Sequence, residues 1–197
     1  MGGDGPRPEI WVVRHGETEW SRSGQHTSRT DIDLTEVGEE QAEALGSLLR
    51  PVDFGLVLSS PMLRSRRTAE LAGLGDFDID PELLEWDYGD LEGRTTAEIQ
   101  NDYPGWTIWK GPWPGGETER AVGERADRVV ASLLASTVSK VAVFSHGHFI
   151  RVLAARWVGA GVGTGEWLDL DTASLSKLGW YRGDRVLRLW NLVPGNL

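Results

Sequence analysis

The sequence predicts an α/β fold, a three-layer α/β/α sandwich around a mainly parallel central sheet. Three short apolar runs, residues 9–13, 55–59 and 140–144, are each followed along the chain by a segment with helical spacing. Near-continuous apolar strands are typical of parallel sheets, which are buried on both faces. Because ligands bind at the carboxyl ends of such strands, we expect the functional site at that edge of the sheet.

Capping residues and periodicity predict the remaining elements. Thr35 is a candidate N-cap for a helix that Pro51 closes, and Pro61 is well placed to open a helix that runs to Leu71. Thr118 is a candidate N-cap for a long helix that ends near residue 136. We also predict helices over residues 96–103 and 147–158, and strands over residues 77–79, 166–170, 175–181 and 185–190.

Length and composition bound the class of protein. The chain has 197 residues, of which 40% are hydrophobic, so we expect one globular domain. Within it, residues 1–8 are expected to be a disordered leader and residues 84–117 a lid-like segment over the pocket. The absence of cysteine excludes disulfides, thiol catalysis and zinc–thiolate sites. A cytoplasmic location fits this composition.

The net charge of −10 restricts the partners. It argues against nucleic acid or an anionic membrane as the main partner, because both repel an acidic surface. It leaves a small phosphorylated metabolite open, since surface charge is screened beyond roughly 8 Å and a local cluster of arginines then dominates a pocket. The late apolar strand over residues 185–190 is a candidate edge strand or homodimer contact.

An arginine and a histidine follow the first predicted strand. Arg14 and His15 precede Gly16, which lets the backbone pass close to a ligand. A histidine fixed at a strand end is suited to act as nucleophile or general base. The planar guanidinium of arginine binds phosphate through paired donors. The alternative is an incidental loop histidine beside a surface arginine.

Two further histidines follow the strand over residues 140–144. His146 and His148 flank Gly147 at the start of a predicted helix. His146 then lies at the same sheet edge as the first motif. Two alternatives remain: a histidine at a helix entry with a capping role, or a metal site. The metal site lacks a nearby carboxylate–histidine spacing that would complete it.

Two further segments carry candidate chemistry. Arg64 lies one turn into a helix that follows a strand, where backbone N–H groups and the helix dipole suit an anion. Together with Arg66 and Arg67, it is alternatively part of a solvated helix face. Glu85 precedes Trp86, and apolar neighbours raise the pKa of a carboxyl group. Its alternative is an ordinary surface acid in a turn.

The order of these four motifs, over residues 10–181, resembles the histidine phosphatase superfamily, also called the phosphoglycerate-mutase-like family. The resemblance implies a phosphohistidine at His15, a phosphate pocket of Arg14, Arg64 and a protonated His146, and Glu85 as proton donor. It requires no metal and no cofactor. The substrate contacts that it implies are Thr18, Ser21, His26, Thr27, Gly147 and His148.

Finer matches over residues 19–27, 85–93 and 145–149 are similar to a branch of mycobacterial acid phosphatases and fungal sedoheptulose-bisphosphatase-like enzymes. Ser21 and Ser28 stand where mutases carry asparagine and glycine. The resemblance therefore implies a metal-independent phosphomonoesterase acting on sugar phosphates or bisphosphates. The alternatives are a phosphoglycerate mutase and a catalytically silent phosphate-binding module, against which the intact motif set argues. The segment with Trp106, Trp109 and Trp113 is either a specificity lid or packing.

Overall fold

The sheet contains six strands. The structure, a computed structural model, describes residues 7–194. Its strands are β1 (Glu9–Arg14), β2 (Leu56–Ser59), β3 (Asp78–Ile79), β4 (Lys140–Ser145), β5 (Leu175–Tyr181) and β6 (Asp184–Leu192). They follow the order β3-β2-β4-β1-β5-β6. The pairs β3–β2, β2–β4 and β4–β1 are parallel, whereas β5 and β6 add antiparallel strands at one edge.

Helices cover both faces of this sheet. The α-helices are α1 (Glu19–Ser23), α2 (Glu36–Leu49), α3 (Leu63–Leu71), α4 (Thr96–Asp102), α5 (Glu119–Ala135) and α6 (Gly147–Trp157). Short 3₁₀ helices span Pro81–Leu83, Gly89–Leu91 and Val162–Trp167. The predicted caps form, since the side chains of Thr35 and Thr118 accept hydrogen bonds from the first turns of α2 and α5.

Alternation along β1 explains the three layers. Ile10 and Val12 pack into a core cluster that contains residues of α5 and α6. Trp11 and Val13 pack into a second cluster that contains residues of α2 and α3. Successive strand residues point to opposite faces, so a strand whose four central residues are all apolar needs cover on both sides. The predicted α/β/α sandwich with a mainly parallel sheet is confirmed.

One predicted strand is wrong. Residues 166–170 do not pair with the sheet but continue from the 3₁₀ helix Val162–Trp167 into irregular chain. The carbonyl groups of Gly165 and Glu166 accept hydrogen bonds from the side chain of Arg151 instead of from a neighbouring strand. Trp167, an apolar residue of this segment, is 81% exposed.

Two other differences concern the N-terminal residues and a short helix. Of the predicted leader, residues 1–6 lie outside the described residues, whereas the buried Pro8 accepts a hydrogen bond from Trp180 Nε1 at 3.0 Å. Helix α1 was not expected, and a reciprocal capping box between Thr18 and Ser21 stabilises it. Among the helices of residues 7–194, none combines the length and apolar character needed to cross a membrane.

Candidate active site

The two strand-end histidines lie side by side. Strands β1 and β4 are parallel neighbours, with Arg14 paired with Ser145, so the residues that follow them meet at one edge. The N–H group of His15 donates to the carbonyl of Ser145 at 3.1 Å. The imidazole rings of His15 and His146 are 5.3 Å apart between centroids. The sheet register itself therefore brings the two motifs together.

His15 is held as one tautomer. Its Nδ1 donates to the carbonyl oxygen of Gly16 at 2.7 Å, and since a carbonyl only accepts, Nε2 keeps its lone pair. Burial, with the charges of Arg64 and Arg14, holds the pKa of His15 well below its usual range. A Cβ atom at Gly16 would lie 2.3 Å from the carbonyl oxygen of Gly38, so glycine is required there. The ring is therefore neutral and fixed.

Arg64 and His146 form a buried pair behind His15. Arg64 Nε donates to His146 Nδ1 at 3.2 Å, and His146 Nε2 lies 2.7 Å from Ser60 Oγ. Because Nδ1 accepts this hydrogen bond, the proton of a neutral ring is on Nε2. Burial and the Arg64 charge also hold the pKa of His146 well below its usual range. The expectation of a protonated His146 is therefore wrong for this arrangement.

Arg14 has a guanidinium group whose hydrogen-bond donors are only partly used. One guanidinium nitrogen, Nη1, donates to the carbonyl of Leu170. Its Nε is buried and has no hydrogen-bond partner among residues 7–194. Leaving a buried donor unsatisfied costs about 1–3 kcal/mol. A Cβ atom at Gly147 would lie 3.3 Å from this guanidinium, so glycine leaves the group room. Arg14 is thus suited to bind an anion beside His15.

The carboxylate of Glu85 lies at the N-terminus of α6. It accepts hydrogen bonds from the N–H groups of Phe149 at 2.7 Å, Trp86 at 2.8 Å and His148 at 3.0 Å. Burial raises the pKa of Glu85, and these three hydrogen bonds oppose that rise by favouring the charged form. The net direction is upward, so Glu85 holds a proton to higher pH than an exposed glutamate.

Arg14, His15 and Glu85 line a cavity of about 170 Å³. Arg64, His146 and Thr18 are fully buried and lie outside its lining. The hydroxyl of Thr18 caps α1 by accepting from the N–H group of Ser21 at 3.1 Å. The predicted residues that do line the cavity are Arg14, His15, Ser21, His26, Thr27, Glu85, Gly147 and His148.

One wall of the cavity is aromatic and neutral. The Tyr88 hydroxyl lies 2.6 Å from His148 Nδ1, and the ring of His26 is 4.7 Å from that of Tyr88. Burial lowers the pKa of His26 to about 4 and that of His148 well below its usual range. Trp106 packs on His26, with centroids 5.2 Å apart, and Trp109 packs on His148 at 5.5 Å. These tryptophans support the wall from behind.

The histidines are engaged by separate partners. His146 contacts Arg64 and Ser60, whereas His148 contacts Tyr88. No group of three or more His, Asp or Glu side chains within residues 7–194 is arranged to hold a metal ion.

Comparison with known proteins identifies the family. The sequence model of the Histidine phosphatase superfamily (branch 1) matches residues 10–193. The chain belongs to this superfamily. The predicted resemblance is thereby confirmed over nearly the whole sequence.

This histidine phosphatase family member is similar to relatives of the two kinds that the finer sequence matches indicated. An acid phosphatase of Mycobacterium tuberculosis is 40% identical over 187 residues, covering 93% of this chain and 92% of the relative. A sedoheptulose 1,7-bisphosphatase of Saccharomyces cerevisiae is 36% identical, covering 79% of this chain and 69% of the relative. The solved structure of an open reading frame from M. tuberculosis has a TM-score of 0.91 at 39% identity, covering 95% of this chain and 98% of that one.

Sequence reasoning missed one charged residue of the cavity in this family member. Arg151 lines it, with its guanidinium carbon 4.8 Å from the ring centre of Trp109. Its Nε and Nη2 donate to the carbonyls of Gly165 and Glu166. A signal was present, because Arg151 lies four residues after Gly147 on α6 and residues four apart share a helix face. Tyr88, part of the Glu85 motif, was also not predicted as a lining residue.

Proposed function

We propose that this protein is a phosphomonoesterase that hydrolyses small phosphorylated metabolites through a phosphohistidine on His15. The observation that carries the proposal is the hydrogen bond from His15 Nδ1 to the carbonyl of Gly16. It leaves an unprotonated Nε2 in a cavity shared with Arg14 and Glu85. A neutral imidazole beside cations is suited to attack phosphorus, since the cations stabilise the phosphoryl oxygens.

In the first step, His15 Nε2 forms a bond to phosphorus while the bond between phosphorus and the ester oxygen breaks. The leaving oxygen takes the proton of the Glu85 carboxyl group, so an alcohol departs. In the second step, water attacks the phosphohistidine, and the Glu85 carboxylate accepts a proton from that water. The P–N bond breaks, inorganic phosphate is released, and both side chains return to their starting states.

Three residues are proposed to stabilise the phosphoryl group. Arg14, whose Nε has no partner among the described residues, is the direct ligand. Arg64 supplies a buried charge next to both histidines and also lowers the pKa of His15. His146 is proposed to act through Arg64, in place of the cation expected from the sequence: its neutral ring accepts the hydrogen bond from Arg64 Nε, and its own Nε2 lies against Ser60. Preorganised charge of this kind stabilises a transition state because it needs no reorganisation.

The lining of the cavity supports sugar phosphates or sugar bisphosphates as substrates. The relative from S. cerevisiae is a sedoheptulose 1,7-bisphosphatase. The cavity wall offers neutral hydrogen-bonding groups that suit hydroxyls, on His26, Tyr88 and His148. Because the two imidazoles are uncharged, they do not compete with Arg14 for the phosphate. Arg151 adds a second cation for another anionic group on the substrate. A small polyhydroxylated phosphate ester matches this combination.

The test is phosphate release from a panel of metabolites, with EDTA present, by the wild-type enzyme and by His15→Ala. We expect release by the wild type and none by the variant, with labelled phosphoryl trapped on His15. Substantial turnover by His15→Ala would overturn the nucleophile. Conversion of 3-phosphoglycerate to 2-phosphoglycerate without phosphate release would indicate the mutase instead. No turnover and no labelling would indicate a silent phosphate-binding module.

Two sequence-based expectations stay predictions. A homodimer through the strand over residues 185–190 is checked by light scattering, and a cytoplasmic location is checked by cell fractionation.

A further inference from the structure

A largely buried ion pair lies next to the cavity but outside its lining. Arg125, on α5, is almost fully buried and forks onto the carboxylate of Glu117. Its Nε donates to Oε1 at 2.9 Å and its Nη2 donates to Oε2 at 2.7 Å. Such two-point pairing fixes the orientation of a guanidinium as well as its position. None of the steps proposed for the reaction uses this pair.

The remaining donors of Arg125 all bind the chain that carries Glu85. Nη1 donates to the carbonyl of Glu82 at 2.8 Å and to that of Leu84 at 2.7 Å. Nη2 donates to the carbonyl of Glu85 itself at 3.2 Å. Three backbone carbonyls within four residues therefore depend on one side chain.

Arg125 also contacts the residue that holds the Glu85 carboxylate. Its guanidinium carbon lies 4.2 Å from the ring centre of Phe149. The N–H group of Phe149 donates to Glu85 Oε1 at 2.7 Å, the shortest of the three hydrogen bonds to that carboxylate. Arg125 thus fixes both the backbone of Glu85 and the helix end that its side chain meets.

Glu85 needs such support because no regular element fixes it. It lies in irregular chain between the 3₁₀ helices Pro81–Leu83 and Gly89–Leu91. A proton donor has to be held within about 0.5 Å of its productive position, and a displacement of about 1 Å costs on the order of 100-fold in rate.

We propose that Arg125, oriented by Glu117, is a positioning residue for the proton donor Glu85. The proposal rests on the proposed function, because it assigns to Arg125 the placement of the proton that the leaving oxygen takes. Replacing Arg125 should therefore slow the cleavage of esters whose leaving oxygen needs that proton. An ester that releases a stable anion, such as p-nitrophenolate, needs the proton much less.

The experiment measures single-turnover release of the alcohol or phenol, which reports the first step alone. Arg125→Met and Arg125→Lys are compared with wild type on glycerol 2-phosphate and on p-nitrophenyl phosphate. For Arg125→Met we expect a loss of roughly 10- to 100-fold on the alkyl ester and less than about 5-fold on the aryl ester. Arg125→Lys keeps the charge but loses the fork, so its loss on the alkyl ester is intermediate.

Arg128→Met is the matched control. Arg128 lies on the same helix and pairs with the side chain of Glu82, but the two side chains are 59% and 40% exposed. We expect this variant to keep the wild-type rates on both esters.

Equal losses on the two esters, or no loss on either, would overturn the positioning role. If Arg125→Met does not fold, as judged by its thermal unfolding, Arg125→Lys decides by the same comparison of esters. Failure of the proposed function gives a different pattern, in which the wild type itself cleaves neither ester and carries no phosphohistidine.

Discussion

Arg64 Nε donates to His146 Nδ1 at 3.2 Å, which holds a fully buried cation against a neutral imidazole. The other nitrogens of Arg64 donate to the carbonyls of Thr30 and Ser28, both at 3.1 Å. All three guanidinium nitrogens are therefore in use, and the planar group is fixed behind His15. Such a rigid charge is more effective than the same charge on a mobile side chain.

Replacing Arg64 by lysine tests the value of this geometry. Arg64→Lys keeps a positive charge but cannot donate to His146 and to both carbonyls at once. We expect kcat/KM to fall by roughly 100-fold, equivalent to about 2.7 kcal/mol of transition-state stabilisation. Steady-state kinetics on p-nitrophenyl phosphate provide the measurement. Arg67→Lys, at a half-exposed position of the same helix, is the control, and an equal loss there would contradict the expectation.

The pH dependence of the first step follows from two opposite pKa shifts. His15 has a lowered pKa, so its attacking form is lost only when the pH falls well below the usual histidine range. Glu85 has a raised pKa, so its proton-donating form persists above the usual glutamate range and is lost as the pH rises further. We therefore expect the rate of the first step to be highest between these two pKa values, falling at lower pH as His15 gains a proton and at higher pH as Glu85 loses its own.

Glu85→Gln separates this effect from ionisation of the substrate. The variant should lose the part of the alkaline limb that comes from Glu85 while keeping the part that comes from the phosphate. A wild-type rate on an alkyl phosphate that climbs with pH through the ordinary histidine range would show that the His15 pKa is not lowered.

Stability should fall on acidification because all four histidines have lowered pKa values. The unfolded chain takes up protons below the ordinary value of 6.5, whereas the folded protein does not. The neutral histidines therefore contribute their full stabilisation above pH 6.5. That stabilisation is lost as the pH falls toward the pKa values of the folded protein, about 4 for His26. Each such group contributes a slope of about 1.4 kcal/mol per pH unit within its window.

Urea unfolding at pH 7, 6 and 5 measures this slope. His26→Gln removes one of the four groups, so its free energy of unfolding should depend less steeply on pH than that of the wild type. A free energy of unfolding that stays constant across this range would be inconsistent with neutral, buried imidazoles.

Arg151 is expected to determine preference for a second anionic group. Arg151→Gln removes the charge but keeps donors for the carbonyls of Gly165 and Glu166. A hydrogen bond to a charged group contributes about 1.5–3 kcal/mol, so the KM for a sugar bisphosphate should rise by roughly 10- to 100-fold. The KM for p-nitrophenyl phosphate, which has one phosphate, should change little. Similar changes in KM for both substrates would show that Arg151 supports the structure of the cavity and does not bind a second anionic group.

The sequence was sufficient for the layers and for the edge that carries the site. The strands within residues 9–13 and 140–144 can be recognised because burial on both faces leaves only apolar residues after Glu9 and Lys140. The threonines before α2 and α5 can be recognised as N-caps because capping depends on the local sequence. Once β1 and β4 are parallel neighbours, His15 and His146 must meet.

Local signals failed where one distant side chain decides the conformation. The apolar residues 166–170 resemble a strand, but Arg151 binds the carbonyls at the start of this segment from α6. These hydrogen bonds depend on the packing of α6 against this segment, which a sequence pattern does not encode.

The order of residues along the chain thus determined which chemical groups gather at the sheet edge. Only the tertiary structure decided their protonation states and their supports. A charge state depends on burial and on neighbours from anywhere in the chain: Arg64 and His146 are 82 positions apart, and Arg125 and Glu85 are 40 apart. Electrostatic interactions act through space, so the neutrality of His146 and the fixing of Glu85 emerge only when the helices pack against the sheet.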